Sequence, residues 1–436
     1  MVDVSSFKGI TYNKEKISNL DAVMAPPYDI IAKEMQDELY KQHPNNLVRL
    51  TFGKQYPDDS EKNNRYTRAK ALFDEWQKQS ILIESKKNAI YPYKIEYTIK
   101  ANHEPKTMHG FFVLLKLDPE YKLVKAHEKT LAKPKVDRLS LMRACNANFE
   151  PIQLLYMDKN DTIRKMIDEA IDKPMICIKG YDRFYHKLWK LDNKNLIDQI
   201  VDKLNDKVLF IADGHHRYQT AVDFAREKKE KTGNYERNTP FNYRMVVLAN
   251  MFDEGLMILP THRLITIPQL NIDELIVKLG KYFTVEEKPV TARDTDIEAL
   301  GKQLRDEITT DREHKFVLYT RGKYYILTLK DEAVMDKLAG NRSKTWRRLD
   351  VSILHNIVFE QLMGINEKNI EDHVKYTRVD SEAITFVNDG KFDVSFLMNA
   401  TKIDELKIIA EGGEHMPQKS TYFLPKMLSG LVMYKM

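Results

Sequence analysis

Five consecutive positions near the middle of the chain carry the groups that phosphate chemistry uses. A carboxylate or an imidazole can move a proton, and a guanidinium matches phosphate oxygens two at a time. The five positions are Asp213, Gly214, His215, His216 and Arg217. Because a helix cap does not require so many functional groups, we interpret this set as a phosphate or nucleotide site.

These residues fall where a strand is predicted to turn into a helix. The preceding run, 208–212, is β-branched and aromatic, and Ala221, Phe224 and Ala225 recur at helical spacing. Gly214 permits a tight turn, and the first N–H groups of a helix attract anions. A capped helix with a solvated histidine pair is the alternative. The expected roles are phosphate binding for Gly214 and His215 and catalysis for Asp213, His216 and Arg217.

A second concentration of polar residues lies between positions 124 and 147. Pro134 interrupts the charged run, so the residues before it are expected on a strand or loop, where they can converge on a ligand. A solvated helix face is the alternative. His127, Lys135 and Arg138 are assigned to substrate or phosphate binding, and Glu128 is, with Asp213, a candidate general base.

Two further segments can add anion-binding groups to the same site. Pro260 opens a polar tetrad that includes His262 and Arg263, at a predicted strand end. The loop 412–426 holds two glycines, two lysines and two hydroxyls, a composition that can cradle an anion without the spacing of a Walker A loop. A docked C-terminal tail is the alternative for this loop. Its assigned binding residues are Lys419, Ser420 and Thr421.

Composition limits the class of protein. The chain has 436 residues, 42% of them hydrophobic and 31% charged, as expected for a globular protein of two or three domains. Its net charge of +5 gives no electrostatic signature of nucleic-acid binding. The longest apolar run, 111–115, is far shorter than the roughly 20 residues of a membrane span, and two cysteines indicate a reducing compartment. We expect a cytoplasmic protein without nucleic-acid or membrane partners, and its oligomeric state is left open.

The predicted elements indicate an α/β (α+β) fold in two lobes. Residues 1–267 are expected to form a larger lobe that contains the central strand, turn and helix. The pattern changes near residue 268, after which helices and strands alternate again. Residues 268–436 are therefore expected to form a smaller α/β lobe that contributes the C-terminal loop.

The segment 212–221, Ala-Asp-Gly-His-His-Arg-Tyr-Gln-Thr-Ala, resembles the central motif of the ParB/sulfiredoxin superfamily. Its free-serine kinases carry the turn Asp-Gly-His-x-Arg. The segments 25–29, 127–138, 260–263 and 416–426 resemble a prokaryotic family of unknown function. The resemblance implies a ParB/sulfiredoxin-like N-terminal lobe, ATP or ADP as donor with Mg²⁺, and a small-molecule acceptor such as free serine.

Several chemistries are excluded or left open by the residue types. Sulfiredoxin chemistry needs a cysteine where His215 stands, and no His/carboxylate spacing typical of a protein-bound catalytic metal is found. The favoured function is a small-molecule phosphotransferase, a kinase acting on a hydroxyl. The alternatives are a phosphatase of phosphoserine or a similar ester, and a regulatory protein that binds a nucleotide without turnover.

Overall fold

Helices and strands alternate along the chain in the computed structural model, which describes residues 1–99, 104–128, 132–291, 296–310 and 313–436. The chain divides into two units. Unit 1 comprises Met1–Ala126, Thr130–Met257 and Phe423–Met436, and unit 2 comprises His127–Lys129 and Ile258–Tyr422. Each unit is described by itself below.

Unit 1 contains seven helices within the described residues. They are α1 Lys33–Gln42, α2 Val48–Thr51, α3 Arg65–Lys78, α4 Ala132–Cys145, α5 Thr162–Ala170, α6 Lys194–Leu204 and α7 His215–Thr232. Short 3₁₀ turns add Asp21–Val23, Tyr28–Ile30 and Pro240–Asn242.

The strands of this part of the chain are mostly short. They are β1 Val4–Ser5, β2 Ile10–Tyr12, β3 Leu82–Glu84, β4 Tyr91–Tyr97, β5 Lys106–Lys116, β6 Val124–Lys125, β7 Ala147–Asn148, β8 Ile152–Tyr156, β9 Ile176–Lys179, β10 Tyr185–Leu188, β11 Leu209–Asp213, β12 Tyr243–Asn250 and β13 Met257–Ile258.

Nine of the described strands of unit 1 form one mixed sheet, in the order β6-β11-β8-β12-β5-β4-β10-β9, with β1 added to β5. β11 runs antiparallel to β8, and β12 runs parallel to β8. The carboxyl end of β11 therefore lies beside the amino ends of β8 and β12. This edge of the sheet positions the central turn.

Helix α7 is fixed by the core on one face of that sheet. Tyr218 and Val222 of the helix join a buried cluster that includes Leu154, Ile211 and Val246. Burial of an apolar side chain of this size contributes about 1.5–3 kcal/mol. Packing of this kind holds the start of α7 at the end of β11.

Unit 2 is built around a second sheet. Its helices are α8 Ile272–Leu279, α9 Ile297–Ile308, α10 Val334–Leu338, α11 Lys344–Arg347, α12 Asp350–Ile353, α13 Ile370–His373, α14 Asp380–Asn388 and α15 Ile403–Glu411. Its strands are β14 His262–Ile265, β15 Phe283–Pro289, β16 Lys315–Thr320, β17 Lys323–Leu329, β18 Val374–Thr377 and β19 Val394–Leu397. The chain closes with β20 Phe423–Leu424 and β21 Tyr434–Lys435, which belong to unit 1.

The sheet of unit 2 has six strands among the described residues, in the order β15-β17-β16-β19-β14-β18. Strand β14 pairs with both β18 and β19. This pairing explains why residues 258–267 group with unit 2, although the sequence places them in the first lobe. The segment 423–436 groups with unit 1 because β21 pairs with β7.

The architecture is mixed α/β with several sheets, consistent with the expected α+β class. Three local expectations differ from the structure. The sequence predicts a short strand over 47–52, but residues 48–51 are helical. Helix α4 begins before Pro134, because proline is tolerated in the first turn of a helix. The sequence also predicts one long amphipathic helix over 349–363, which is divided into α12 and a π-helix, Leu354–Leu362, since the apolar pattern does not distinguish these hydrogen-bond registers.

Among the described residues, the structure contains no helix that is both long and apolar enough to cross a membrane.

Candidate functional site

A single glycine connects β11 to α7. Gly214 has a φ of +95°, and a Cβ atom there would lie 3.0 Å from Nε of Arg217. Both the backbone conformation and the close approach therefore require glycine. Gly214 has no side chain with which to cap α7, and the N-terminus of a helix favours an anion.

Asp213 joins two cations at the end of β11. Its carboxylate accepts hydrogen bonds from the Lys426 ammonium and from the Arg217 guanidinium. Burial by itself would raise the pKa of Asp213, but these two charges outweigh that effect and hold the pKa well below its usual value. A carboxylate this acidic anchors cations well and accepts a proton poorly near neutral pH.

Arg217 is buried beneath the turn. One terminal nitrogen donates to the carbonyl of Pro151 and the other to Asp213. Burial lowers its pKa, and Asp213, together with other nearby groups, raises it above the usual value, so the guanidinium is permanently charged. A phosphate held by both terminal nitrogens would have to replace one of these internal bonds.

Glu150 ties three further segments to this edge of the sheet. One carboxylate oxygen accepts the N–H of Tyr28 at 2.9 Å and the hydroxyl of Ser429 at 3.4 Å. The other accepts from Arg138 at 3.2 Å. Arg138 also donates to Asp137 at 2.7 Å and lies 3.8 Å from the ring centre of Tyr28. The expected site residue Arg138 is therefore a buried, structurally engaged cation.

Two buried polar side chains beside this network lack partners for some of their atoms. Arg244 donates to the Glu150 carbonyl at 2.9 Å, but its Nε has no hydrogen-bond partner in the described residues. Burial, and next the charge of Arg217, lower the pKa of Arg244 to about 9. Gln153, opposite Asp213 across β8 and β11, is 1% exposed, and within the same described residues neither of its amide atoms has a partner. Since buried polar groups are normally hydrogen-bonded, both side chains are candidate ligand contacts.

The network, which we name the Asp213 cluster, carries more positive than negative charge within the described part of unit 1. Its cations are Arg65, Arg138, Arg217, Arg244 and Lys426, and its carboxylates are Asp29, Asp137, Asp213 and Glu150. Asp29 is exposed, yet close enough to Arg217 to raise the pKa of the guanidinium. A bound anion would balance the remaining positive charge.

The other expected residues of unit 1 that the structure describes lie on α4 and α7. His215 is buried and close enough to Asp213 to lower the pKa of the carboxyl. His216 is half-buried, and its carbonyl accepts the Thr220 hydroxyl at 2.7 Å. Lys135 is half-buried in α4. Lys129 and Thr130, members of the polar run between 124 and 147, lie outside the described residues.

Unit 2 brings together a second set of expected residues, which we name the Arg263 cluster. His127 Nε2 lies 2.9 Å from the hydroxyl of Thr421, and this hydroxyl lies 3.4 Å from a carboxylate oxygen of Glu128. Arg263 is 1% exposed and donates to the carbonyls of Thr261 and Lys419. Burial lowers the pKa of Arg263 to about 10, and the nearby Glu128 partly opposes that shift.

The remaining expected residues of unit 2 are mostly engaged inside it. His262 Nε2 lies 2.8 Å from Asp380, and its Nδ1 accepts the N–H of Met398 at 3.3 Å. Burial lowers the pKa of His262 to about 3, so the ring adds no positive charge near neutral pH. Ser420 donates to the Pro417 carbonyl. Lys419 is exposed, with a left-handed φ of +57°.

Among the residues in and beside the Asp213 cluster, Arg65, Arg244, Glu150 and Gln153 were not singled out from the sequence. Arg244 is the one charged residue of the buried strand β12, and a charge in such a strand signals a buried partner. Glu150 lies immediately before Pro151 and β8, and a carboxylate at the start of a strand is weaker evidence for a buried partner than a charge inside one. Gln153 lies inside an apolar strand and has no spacing that links it to the turn.

In the parts of the chain that the structure describes, no group of three or more His, Cys, Asp or Glu side chains is arranged to hold a metal ion.

The fold and the charge cluster define an α+β protein with a candidate anion site at a strand–glycine–helix turn. The chain belongs to the family described as "Protein of unknown function (DUF1015)", whose model matches residues 4–352. No curated protein gives a significant match.

Solved structures give distant matches. A free serine kinase in complex with AMP is 15% identical, with a TM-score of 0.35, over 73% of this chain and 92% of that one. A conserved hypothetical protein from Pyrococcus furiosus is 14% identical, with a TM-score of 0.33, over 73% and 95%. SbnI with a C-terminal truncation, from Staphylococcus aureus, is 11% identical, with a TM-score of 0.34, over 73% and 85%. These scores provide no residue equivalences.

Proposed function

We propose that this protein is a nucleotide-dependent phosphotransferase that acts on the hydroxyl of a small metabolite, with free serine as the first acceptor to test. The observation that carries the proposal is the net positive charge of the Asp213 cluster beside the uncapped N-terminus of α7. Phosphoryl transfer depends mainly on positioning and charge neutralisation. A cluster of this composition supplies both.

The donor phosphates are assigned to the turn at Gly214. The helix dipole favours negative charge there, and Lys426 and Arg217 lie on either side of the Asp213 carboxylate. The unpartnered Nε of Arg244 and the amide of Gln153, both among the described residues, are the neighbouring groups that a ligand would satisfy. ATP or ADP is the proposed donor.

The acceptor hydroxyl needs a base, and Asp29 is our first candidate in unit 1. Two consecutive prolines fix the chain before Tyr28, and the Tyr28 N–H is held by Glu150. This places the exposed carboxylate of Asp29 within electrostatic range of Arg217. Asp213 suits the role less, because its two cations lower its pKa. Glu128 of unit 2 is kept as the alternative base.

Mg²⁺ is expected with a nucleotide donor, and it keeps several waters when phosphates supply the other oxygens. The donor phosphates and water would hold the ion, because Asp29 is assigned to the acceptor proton and the other carboxylates of the Asp213 cluster are paired with cations. When bound, Mg²⁺ would neutralise charge on the transferred phosphoryl group.

The product assay combines protein, Mg²⁺, serine and a panel of ATP, ADP and CTP, with O-phosphoserine detected by mass. The proposal predicts nucleotide-dependent formation of O-phosphoserine or of another phosphorylated hydroxy metabolite. Consumption of phosphoserine without nucleotide would instead assign a phosphatase. Nucleotide binding without product from any of several hydroxy amino acids would leave only a regulatory role.

Arg217→Lys tests the proposed donor site. The two terminal nitrogens of Arg217 donate to Pro151 and to Asp213. The single ammonium of a lysine cannot reproduce this planar arrangement, so the positive charge beside the turn would shift. Loss of one charge-stabilising donor commonly lowers the rate by about 10²–10³-fold. The matched control is Arg143→Lys, an exposed arginine of α4 paired with Glu227, which should retain activity. Equal activity in both variants would contradict the assignment.

A further inference from the structure

A cavity of unit 1 lies along the flank of α7. Its volume is about 610 Å³, within the range of small-molecule sites. The walls come from the helix, from the end of β5 with the loop that follows it, and from the loop before β12. The lining residues used below are Tyr121, Val222, Arg226, Lys229, Tyr235 and Arg237.

The lining of this cavity carries more positive than negative charge. Lys116, Arg226, Lys229 and Arg237 line it, against a single lining carboxylate, Glu230. Lys116 pairs with Asp3 and Arg226 with Asp223, both outside the lining. Within the described residues, Lys229 and Arg237 make no ion pair. Two cations without carboxylate partners facing one cavity favour an anionic occupant.

Aromatic and apolar surface completes the lining. Tyr121 has a left-handed φ of +54°, and its hydroxyl donates to Gln219 at 2.7 Å. The ring packs against Tyr218 with 5.5 Å between the ring centroids, and this contact together with the hydroxyl bond holds it in place. Tyr235, which also lines the cavity, is 69% exposed, and Val222 and Ala225 add buried apolar surface. Rings of this kind bind planar ligands by stacking.

From these contacts we infer that the cavity binds a small organic anion with a planar ring, of the nucleoside monophosphate class. Tyr121 and Tyr235 bind the ring, and Lys229 and Arg237 bind the phosphate. The residues that line this cavity are not members of the Asp213 cluster, and Lys229, assigned to the phosphate, is 14 residues of helix, or about 21 Å, from the first residue of α7. Binding at this cavity does not depend on phosphoryl transfer at Gly214.

The test is titration calorimetry with AMP, GMP, CMP and UMP, alongside adenosine and inorganic phosphate. At least one nucleotide should bind wild-type protein ten-fold or more tightly than either fragment alone. In the double variant Lys229→Gln/Arg237→Gln, that site should be lost or weakened by about 100-fold, since each charged hydrogen bond is worth about a factor of ten. Lys231→Gln, an exposed lysine of the same helix outside the lining, is the charge control and should bind as wild type.

The aromatic contact has its own pair of variants. Tyr235→Ala should weaken nucleotide binding without affecting binding of inorganic phosphate, whereas Tyr181→Ala, an exposed tyrosine elsewhere in unit 1, should change neither. Arg217→Lys should leave this site intact, so a failure of the donor site and a failure of the cavity give different results. Equal affinity and stoichiometry in the double variant and in Lys231→Gln would overturn the inference, as would no binding of any nucleotide.

Discussion

At the scale of single residues, Gly214 decides the geometry of the candidate donor site. It combines a positive φ with close contact to the Arg217 guanidinium. The amino-acid sequence predicts this turn correctly, because a strand pattern, Asp-Gly and a helical pattern follow one another. The burial of Arg217 is not predictable from spacing, since it depends on Pro151, which lies 66 positions earlier.

Gly214→Ala is expected to disturb both features. Its methyl group requires a strained backbone and displaces Arg217, and strain of this kind costs of order 1–3 kcal/mol. Gly233→Ala is the matched control, because Gly233 also has a positive φ, but an added methyl group there would meet nothing within 4 Å among the described residues. Thermal unfolding should show a larger fall in midpoint for Gly214→Ala. Equal shifts would mean that the contact with Arg217 is unimportant.

Asp213 gives a pH prediction with a definite sign. Its folded-state pKa lies below the unfolded value of about 3.9, so its ionised form stabilises the fold above that pH. This contribution is lost as the pH falls through the folded pKa. Asp213→Asn should therefore lower the unfolding midpoint at pH 7 and do so less at pH 3. The same change at Asp37, an exposed partner of Lys54, should have little effect at either pH. A pH-independent effect of Asp213→Asn would contradict the pairing.

At the scale of elements, the edge where β11 ends and β8 and β12 begin collects groups from distant parts of the chain. The sequence predicts β11 and α7, because a β-branched apolar run and an apolar helical period follow one another there. Lys426 belongs to the loop 412–426, which was expected to add cations to this site, and it contacts Asp213. The bond between the Tyr28 N–H and Glu150 is long-range, and no local pattern encodes it.

The segment 423–436 provides the element-scale prediction. Lys426→Met keeps the length of the side chain but leaves Asp213 with one cation, so we expect a large loss of nucleotide affinity and a lower unfolding midpoint. Lys426→Arg should restore part of both. Lys435→Met, on β21 of the same segment, removes an exposed lysine that bonds Gln77 and should be nearly neutral. If Lys426→Met binds nucleotide as well as Lys435→Met, the Asp213 cluster does not bind phosphate.

At the scale of the whole molecule, the expected site residues divide between two units. The Asp213 cluster belongs to unit 1 and the Arg263 cluster to unit 2. Sequence reasoning placed all of them in one site, because each polar cluster lies near an element end. The unit to which a strand belongs depends on the strands with which it pairs. Strand β14 belongs to the sheet of unit 2, because it pairs with β18 and β19. The mixed α/β class could be predicted, and this partition could not.

The two candidate bases are Asp29 of unit 1 and Glu128 of unit 2, and replacing each in turn distinguishes them. Asp29→Asn should lower kcat by about 10²–10⁴-fold with little change in nucleotide affinity, if Asp29 takes the proton of the acceptor hydroxyl. Glu128→Gln should then leave kcat largely unchanged. The reverse result would move the base to the Arg263 cluster of unit 2. Steady-state kinetics with saturating nucleotide and varied acceptor distinguishes these outcomes.

The most direct measurement is a crystal structure of the protein with ADP and Mg²⁺. We expect phosphate oxygens at the N-terminus of α7, within hydrogen-bonding distance of its first-turn N–H groups and of Lys426 or Arg217. We also expect the Nε of Arg244 or the amide of Gln153 to gain a partner. A nucleotide bound elsewhere, with the Asp213 cluster unchanged and without contact to the ligand, would contradict the proposed donor site.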